Sequence, residues 1–205
     1  MKIKELESLL SKAAQKYVSK EEADYFAKLQ ISTHLKKFPR SNPLKTAISD
    51  LESWAKNQGN KMEVQADKGA SLLLNFNKLG PSLKIKMVHD ELEKRAKEHG
   101  IAMIGINNSH GIHTLDLWTD SLANRDLMSI CFYNGGPSGV IPHSGTKGIF
   151  GTNPMSYSIP TNEKPATTDM ATSEIPFFEI LNAKKNGEQI RKNTAVNNTG
   201  EITTD

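Results

Sequence analysis

His110 closes a polar stretch, Asn107-Asn108-Ser109, that follows the apolar run Ile101 to Ile106, and Gly111 comes directly after it. An imidazole at the end of a rigid strand, beside a glycine that lets the backbone approach a ligand, can stand over a cleft. Its unperturbed pKa of ~6.5 suits taking a proton from a substrate hydroxyl and returning it. On the residues alone, a structural histidine is an open alternative. His110 and His113 also form a His-x-x-His pair. Neither a carboxylate nor the single cysteine, Cys131, accompanies it, so the three or four ligands of a bound metal are missing and no metal is expected.

A second stretch, Gly151 to Ser173, can bind rather than react. Gly-Thr-Asn-Pro opens an alternating strand, Met155 to Ile159, closed by Pro160. After the turn Thr161 to Pro165, a short strand Ala166 to Met170 runs into Ala171-Thr172-Ser173. Thr167, Thr168, Asp169, Met170, Ala171, Thr172 and Ser173 thus combine hydroxyls and backbone amides around an ionisable carboxylate, which suits a polar ligand. Thr172 or Ser173 can equally cap a helix beginning at Glu174, and the two readings are compatible because helix N-termini attract phosphate. Thr152 and Asn153 are expected to shape a substrate pocket; Asn153 before Pro154 also suits a plain turn.

In order and closely spaced, Gly-Thr-Asn-Pro and Asp-Met-Ala-Thr-Ser resemble the malate/L-lactate dehydrogenase family of NAD(P)-dependent oxidoreductases. Ureidoglycolate dehydrogenase, diketogulonate reductase and cyclic ketimine reductases belong to that family, which is unrelated to the Rossmann-type enzymes of similar name. The resemblance covers about Glu21 to Asp205. It implies hydride transfer between NAD or NADP and a small 2-hydroxy or 2-oxo acid, or a cyclic imino acid. It also implies that His110 is the acid/base residue, that the dinucleotide lies against residues 167 to 173, and that the chain forms a homodimer. A second catalytic histidine of the family lies in Ser-His-Gly or Thr-His-Gly before Pro-Arg. The nearest counterpart here is Thr33-His34-Leu35 before Phe38-Pro39-Arg40, with the glycine replaced and the spacing one residue short. His34 is therefore the second catalytic candidate, although a histidine on a partly apolar helical face also reads as a core residue. Family members continue well beyond Asp205, so a C-terminally truncated chain, or a non-catalytic relative, is a further expectation.

Nucleotide signatures of other folds are missing. Gly145, Gly148 and Gly151 are spaced G-x-x-G-x-x-G, which is not the dinucleotide fingerprint, and no P-loop occurs.

The elements that must position these residues follow from periodicity. Lys2 to Tyr17 reads as an amphipathic helix, and Ser19-Lys20-Glu21-Glu22 is a capping box for a second, with Ala23, Phe26, Ala27, Ile31 and His34 on one face, ending before Phe38. Thr46 to Lys56 reads as a third helix, ended near Gly59. A strand is expected at Met62 to Gln65, and Leu72 to Leu74 and Phe76 are apolar. Leu83 to His99 is the clearest helix, with Glu91/Arg95 and Glu93/Lys97 pairs outside and Gly100 as terminator. Ile101 to Ile106 has the continuous apolar character of a covered central strand. Thr114 to Leu122 is expected to be a helix, Leu127 to Tyr133 a strand, and Glu174 to Lys185 a helix with Pro176 in its first turn.

We therefore expect an α/β protein of non-Rossmann type. An N-terminal helical region, residues 1 to 60, would pack on an incomplete cofactor and substrate domain, residues 61 to 205. That domain would hold a mixed sheet built from strands near Ile101, Leu127, Met155 and Ala166, with covering helices.

Of the 205 residues, 37% are apolar and 24% charged, and the net charge of +3 is dispersed rather than gathered in a patch. No apolar run approaches the ~18 residues of a spanning helix. These features argue against nucleic-acid and membrane partners and favour a cytoplasmic address. Cys131, within an apolar run, is expected to be an inert buried thiol.

Overall fold

The computed structural model describes residues 2–36, 43–112, 114–136, 138–197 and 199–204. The expected Phe38-Pro39-Arg40 counterpart and His113 lie outside the described residues.

Three helices open the chain: α1, Ile3–Ala14; α2, Lys20–Leu35; and α3, Pro43–Lys56. The capping box forms as read. The Glu22 N–H donates to the Ser19 hydroxyl at 3.3 Å and the Ser19 N–H donates to the Glu22 carboxylate at 3.2 Å, satisfying two donors that the first turn leaves open. Ala14, Ala23, Phe26, Ala27, Ile31 and Ala47 gather with Leu83 into one core. His34 departs from the expected face. The last turn of α2 tightens, with the Lys36 N–H bonding back to the Thr33 carbonyl at 3.2 Å, and the Lys36 side chain reaches across to Asp116. The buried stripe ends on Thr33, and His34 is exposed.

A first sheet follows: β1, Glu63–Lys68, pairs antiparallel with β2, Ser71–Asn75, and β2 pairs parallel with β3, Met103–Asn107. The crossover from β2 to β3 is a 3-10 turn, Pro81–Lys84, and α4, Ile85–His99, which ends on Gly100 in the left-handed conformation. Both predicted i,i+4 pairs form, Arg95 to Glu91 at 3.0 Å and Lys97 to Glu93 at 2.5 Å. Leu72, Leu74, Phe76, Leu79, Ile85 and Val88 make a second core with Leu117 and Trp118. β3 is not the covered central strand expected from its composition. Among the described residues it pairs only with β2, and Ile101 and Met103 are exposed. An apolar run reports burial demand; it does not count neighbours.

The second sheet is a meander of β4, Ser129–Phe132; β5, Met155–Ile159; and β6, Ala166–Met170. β3 thus belongs to a different sheet from the three strands it was expected to join. The reason is α5, Asp116–Ala123, which packs on α4 and also on β4, β5 and β6, so that it separates the two sheets. Leu117, Trp118 and Leu122 are buried on this helix, and Leu117 and Trp118 enter the second core. Toward the meander α5 presents Thr119 and Asp120.

That choice turns the meander over. In an alternating strand such as Met155 to Ile159 the apolar residues ordinarily face inward, yet here Ser156 and Ser158 are 0% exposed. Their hydroxyls join Thr119 at 2.7 and 2.9 Å; Ser158 also meets Thr167 at 2.9 Å, and Thr167 donates to Asp120 at 2.8 Å. Each buried hydroxyl is satisfied, which removes the cost of burying it. The opposite face carries Ile130, Phe132, Met155, Tyr157, Ile159 and Met170, with Phe132 71% exposed.

The chain ends in α6, Phe177–Asn186, and a small β7–β8 pair, Ala195–Val196 with Ile202–Thr203. α6 begins three residues later than read, because Pro176 is its N-cap with extended backbone, and a residue before proline disfavours helix. No helix among the described residues is long and apolar enough to cross a membrane.

Candidate functional site

His110 sits where β3 leaves its sheet, in a loop stitched to the turn after β2. The Phe76 N–H donates to the Asn107 carbonyl at 3.1 Å, Lys78 to Asn108 at 2.6 Å, and the His110 N–H to Leu79 at 3.0 Å. Its side chain is half-buried, and Nε2 lies 2.8 Å from the hydroxyl of Ser49 on α3. The strand-end placement read from the sequence is therefore realised. His34 is exposed on the last turn of α2 and makes no side-chain hydrogen bond among the described residues.

The buried His89 shows what an imidazole of purely structural role looks like in this fold. Its Nδ1 pairs with the Tyr25 hydroxyl at 2.9 Å and its Nε2 with the Trp118 carbonyl at 3.0 Å. Burial, aided by the charge of Arg125, lowers its pKa to about 3, so it stays neutral.

The two motifs at residues 151–154 and 169–173 are joined directly. The Thr172 N–H donates to the Thr152 carbonyl at 3.0 Å, and the Thr172 hydroxyl reaches the carbonyls of Thr152 at 3.1 Å and Asn153 at 3.0 Å. Gly151 packs so closely on the Gly135 carbonyl that a β-carbon has no room there. Asn153 adopts a φ of +36°, and its buried Oδ1 has no partner among the described residues. A strained backbone with an orphaned acceptor is the kind of feature that marks ligand sites.

The seven residues proposed for the cofactor do not act as one surface. Thr167 is engaged in the hydroxyl network, Thr168 and Met170 lie on the opposite face of β6, and Ser173 donates to the Ile175 carbonyl at 2.8 Å rather than capping a helix. Asp169 turns toward α5, where its Oδ2 accepts from the N–H groups of Leu115 at 2.9 Å and Asp116 at 3.0 Å. A carboxylate at a helix N-terminus satisfies open donors and complements the helix dipole. Burial nonetheless raises its pKa, and the nearby Asp116 charge adds to the rise. Thr152, Thr172 and Ser173 line a cavity of about 560 Å³ with the apolar Val140, Ile141 and Ile175. That volume is in the range of small-molecule sites. Neither histidine lines it.

Three features escaped the sequence reading. Thr46, Ser49, Asp50 and Ser53 form a polar stripe at i, i+3, i+4 and i+7 on α3, and this spacing was available as a signal. Asp50 is buried and accepts from the Ser82 hydroxyl, and burial raises its pKa to about 7. Its Oδ1 and the hydroxyl of Thr114 have no partner among the described residues, and both residues line one small cavity beneath Gly111. Lys36 bridges Asp116 at 2.8 Å and Asp120 at 3.2 Å. Burial works against the Lys36 charge, but bonding to Asp116 and the charges of both carboxylates hold its pKa above the ordinary value.

The family model for malate/L-lactate dehydrogenase matches residues 1–205, the whole chain. The chain belongs to the malate/L-lactate dehydrogenase family. It is similar to a malate/(S)-sulfolactate dehydrogenase from Methanothermus fervidus, with 32% identity over 151 residues, 73% of this chain and 44% of that protein. It is also similar to a Δ1-pyrroline-2-carboxylate/Δ1-piperideine-2-carboxylate reductase from Pseudomonas putida, with 35% identity over 117 residues, 56% of this chain and 33% of the reductase. The chain thus spans less than half the length of these relatives. In fold it is similar to malate dehydrogenase from Entamoeba histolytica, with a TM-score of 0.86 at 20% identity, covering 100% of this chain and 58% of that one.

Proposed function

We propose that this chain supplies the acid/base group and dinucleotide contacts of an NAD(P)-dependent oxidoreductase that acts on a small 2-hydroxy or 2-oxo acid. The observation that carries the reading is the Asp169 carboxylate, which ties the dinucleotide motif to the start of α5 and hence to the loop bearing His110. Residues 1–60 supply the helices that hold that loop, and residues 61–205 the motif strands.

The residues present fit a dinucleotide. The cavity offers hydroxyls at Thr152, Thr172 and Ser173 against apolar walls, and Asn153, next to Thr152, holds a buried acceptor with no partner among the described residues. When bound, the nicotinamide gives or takes the hydride. His110 takes the substrate hydroxyl proton in oxidation and returns it to the carbonyl oxygen in reduction. Asn153 orients the substrate or the nicotinamide carboxamide. His34 would join this chemistry only by reaching the same substrate from the end of α2. The exposed apolar face of β4, β5 and β6 supports a homodimer, and the ordinary composition a cytoplasmic location.

A second reading, reduction of a cyclic imino acid, is favoured by the similarity to the Pseudomonas putida reductase. There His110 would deliver its proton to the ring nitrogen. Binding of NADH and NADPH, followed by fluorescence, tests the cofactor. Turnover with oxaloacetate, pyruvate and piperideine-2-carboxylate separates the two substrate classes. His110→Asn is expected to keep dinucleotide affinity while lowering kcat by ~10² to ~10⁴-fold. Wild-type turnover in that variant would remove His110 from the chemistry, and absence of both binding and turnover would leave a non-catalytic relative.

A further inference from the structure

We infer that Ser49 is a positioning residue for His110, so that α3 sets the direction in which the imidazole faces the substrate. The inference rests on the proposed acid/base role of His110. Its basis is the 2.8 Å contact between the Ser49 hydroxyl and His110 Nε2, across 61 residues of sequence.

The contact belongs to a frame that α3 builds around the loop. The Gly80 N–H donates to the Ser53 hydroxyl at 2.7 Å, and the Trp54 indole N–H donates to the Gly80 carbonyl at 2.8 Å. Gly80 lies so near Asp50 that a β-carbon would meet the Asp50 main chain at 2.8 Å. The next carbonyl back, Leu79, accepts the His110 N–H. α3 therefore holds the turn that holds the His110 backbone, and Ser49 from the same helix holds the ring. With both ends of the contact already fixed, little further ordering entropy is spent in forming it.

A hydroxyl suits this position chemically. It can donate to the lone pair of a neutral ring nitrogen or accept from its N–H, by rotation of one bond. His110 must pass through both protonation states during a catalytic cycle, and Ser49 can stay bonded in each without moving the ring. A carboxylate at this position would favour the charged imidazolium, whereas a hydroxyl carries no charge. Loss of the contact removes one of the bonds that fix the ring against the reacting oxygen, and small misplacements cost rate steeply.

Two measurements on the chain test this. Nitrogen-15 spectra of histidine-labelled protein, with His110→Asn to assign the resonance, report the tautomer and hydrogen bonding of His110 without any turnover. Ser49→Ala is expected to shift the His110 Nε2 resonance and alter the tautomer ratio, and Ser49→Thr to restore both. In turnover, Ser49→Ala is expected to lower kcat by about tenfold and displace the pH profile of kcat, with the KM for dinucleotide unchanged and with recovery in Ser49→Thr. Identical His110 spectra in Ser49→Ala and wild type, the fold being intact by circular dichroism, would overturn the inference. So would a shifted resonance together with unchanged kcat and pH profile. If His110→Asn itself turns over at wild-type speed, the acid/base reading falls first and this inference falls with it, whatever the spectra show.

Discussion

The Asp169 carboxylate accepts the N–H of Asp116 at 3.0 Å, fastening β6 to the helix that follows the loop bearing His110. The same oxygen takes the Leu115 N–H, so both bonds are lost with this one side chain. Asp169→Ala is expected to destabilise the fold by about 1–2 kcal/mol, the scale of a lost helix cap, and to raise the KM for dinucleotide. Asp169→Asn keeps an acceptor and should recover most of the stability. Urea unfolding of both variants checks the first point; a stability change below a few tenths of a kcal/mol in Asp169→Ala would contradict it.

His34 offers a cleaner separation of roles because it is exposed and buries nothing. His34→Ala is expected to leave the melting temperature within a degree or two of wild type. Any change in the pH-rate profile would then report chemistry rather than folding. An unchanged profile would remove His34 from the catalytic pair and leave His110 alone.

Asp50 predicts a pH dependence of stability with a definite sign. Burial raises its folded pKa to about 7 from an ordinary value of 3.8, so the folded state keeps a proton that the unfolded chain has released. The contribution of Asp50 is present below the unfolded pKa and is lost as pH rises from about 4 to about 7. Asp50→Asn cannot ionise, so its stability relative to wild type should improve between pH 5 and pH 8, by an amount of the order of a few kcal/mol. Denaturant titrations at the two pH values measure it, and a difference that does not change between them would show that Asp50 is ionised in the folded protein at pH 5.

The overturned meander predicts association. Phe132 and Ile130 are 71% and 54% exposed on the apolar face. Phe132→Glu is expected to shift light-scattering masses toward monomer at micromolar concentration, with little effect on the hydroxyl network on the other face of the sheet. A wild-type chain that is already monomeric at that concentration would contradict the dimer.

Sequence alone determined the features whose physics is local. The Ser19 to Glu22 capping box, the α4 ion pairs and the Gly100 terminator all involve residues within four positions of one another, where one helical turn dictates the geometry. The two family motifs were legible for the same reason, as contiguous stretches. Tertiary structure decided which face each element buries. Met155 to Ile159 has two faces at period two, and only the packing of α5, which presents Thr119 and Asp120 to the sheet, settled that the serine face lies inward. His34 is exposed although helical spacing within α2 places it on the buried stripe, and the Lys36 to Asp116 pair two residues further on joins elements that no local pattern relates. A strand-end carboxylate beside hydroxyls was legible at Asp169; its partners on α5, which lie more than fifty residues earlier in the chain, were not. Ser49 gave a visible stripe with Thr46, Asp50 and Ser53. What that stripe would face, a turn and an imidazole brought together by β2 and β3, depended on chain folding over distances that no local pattern encodes.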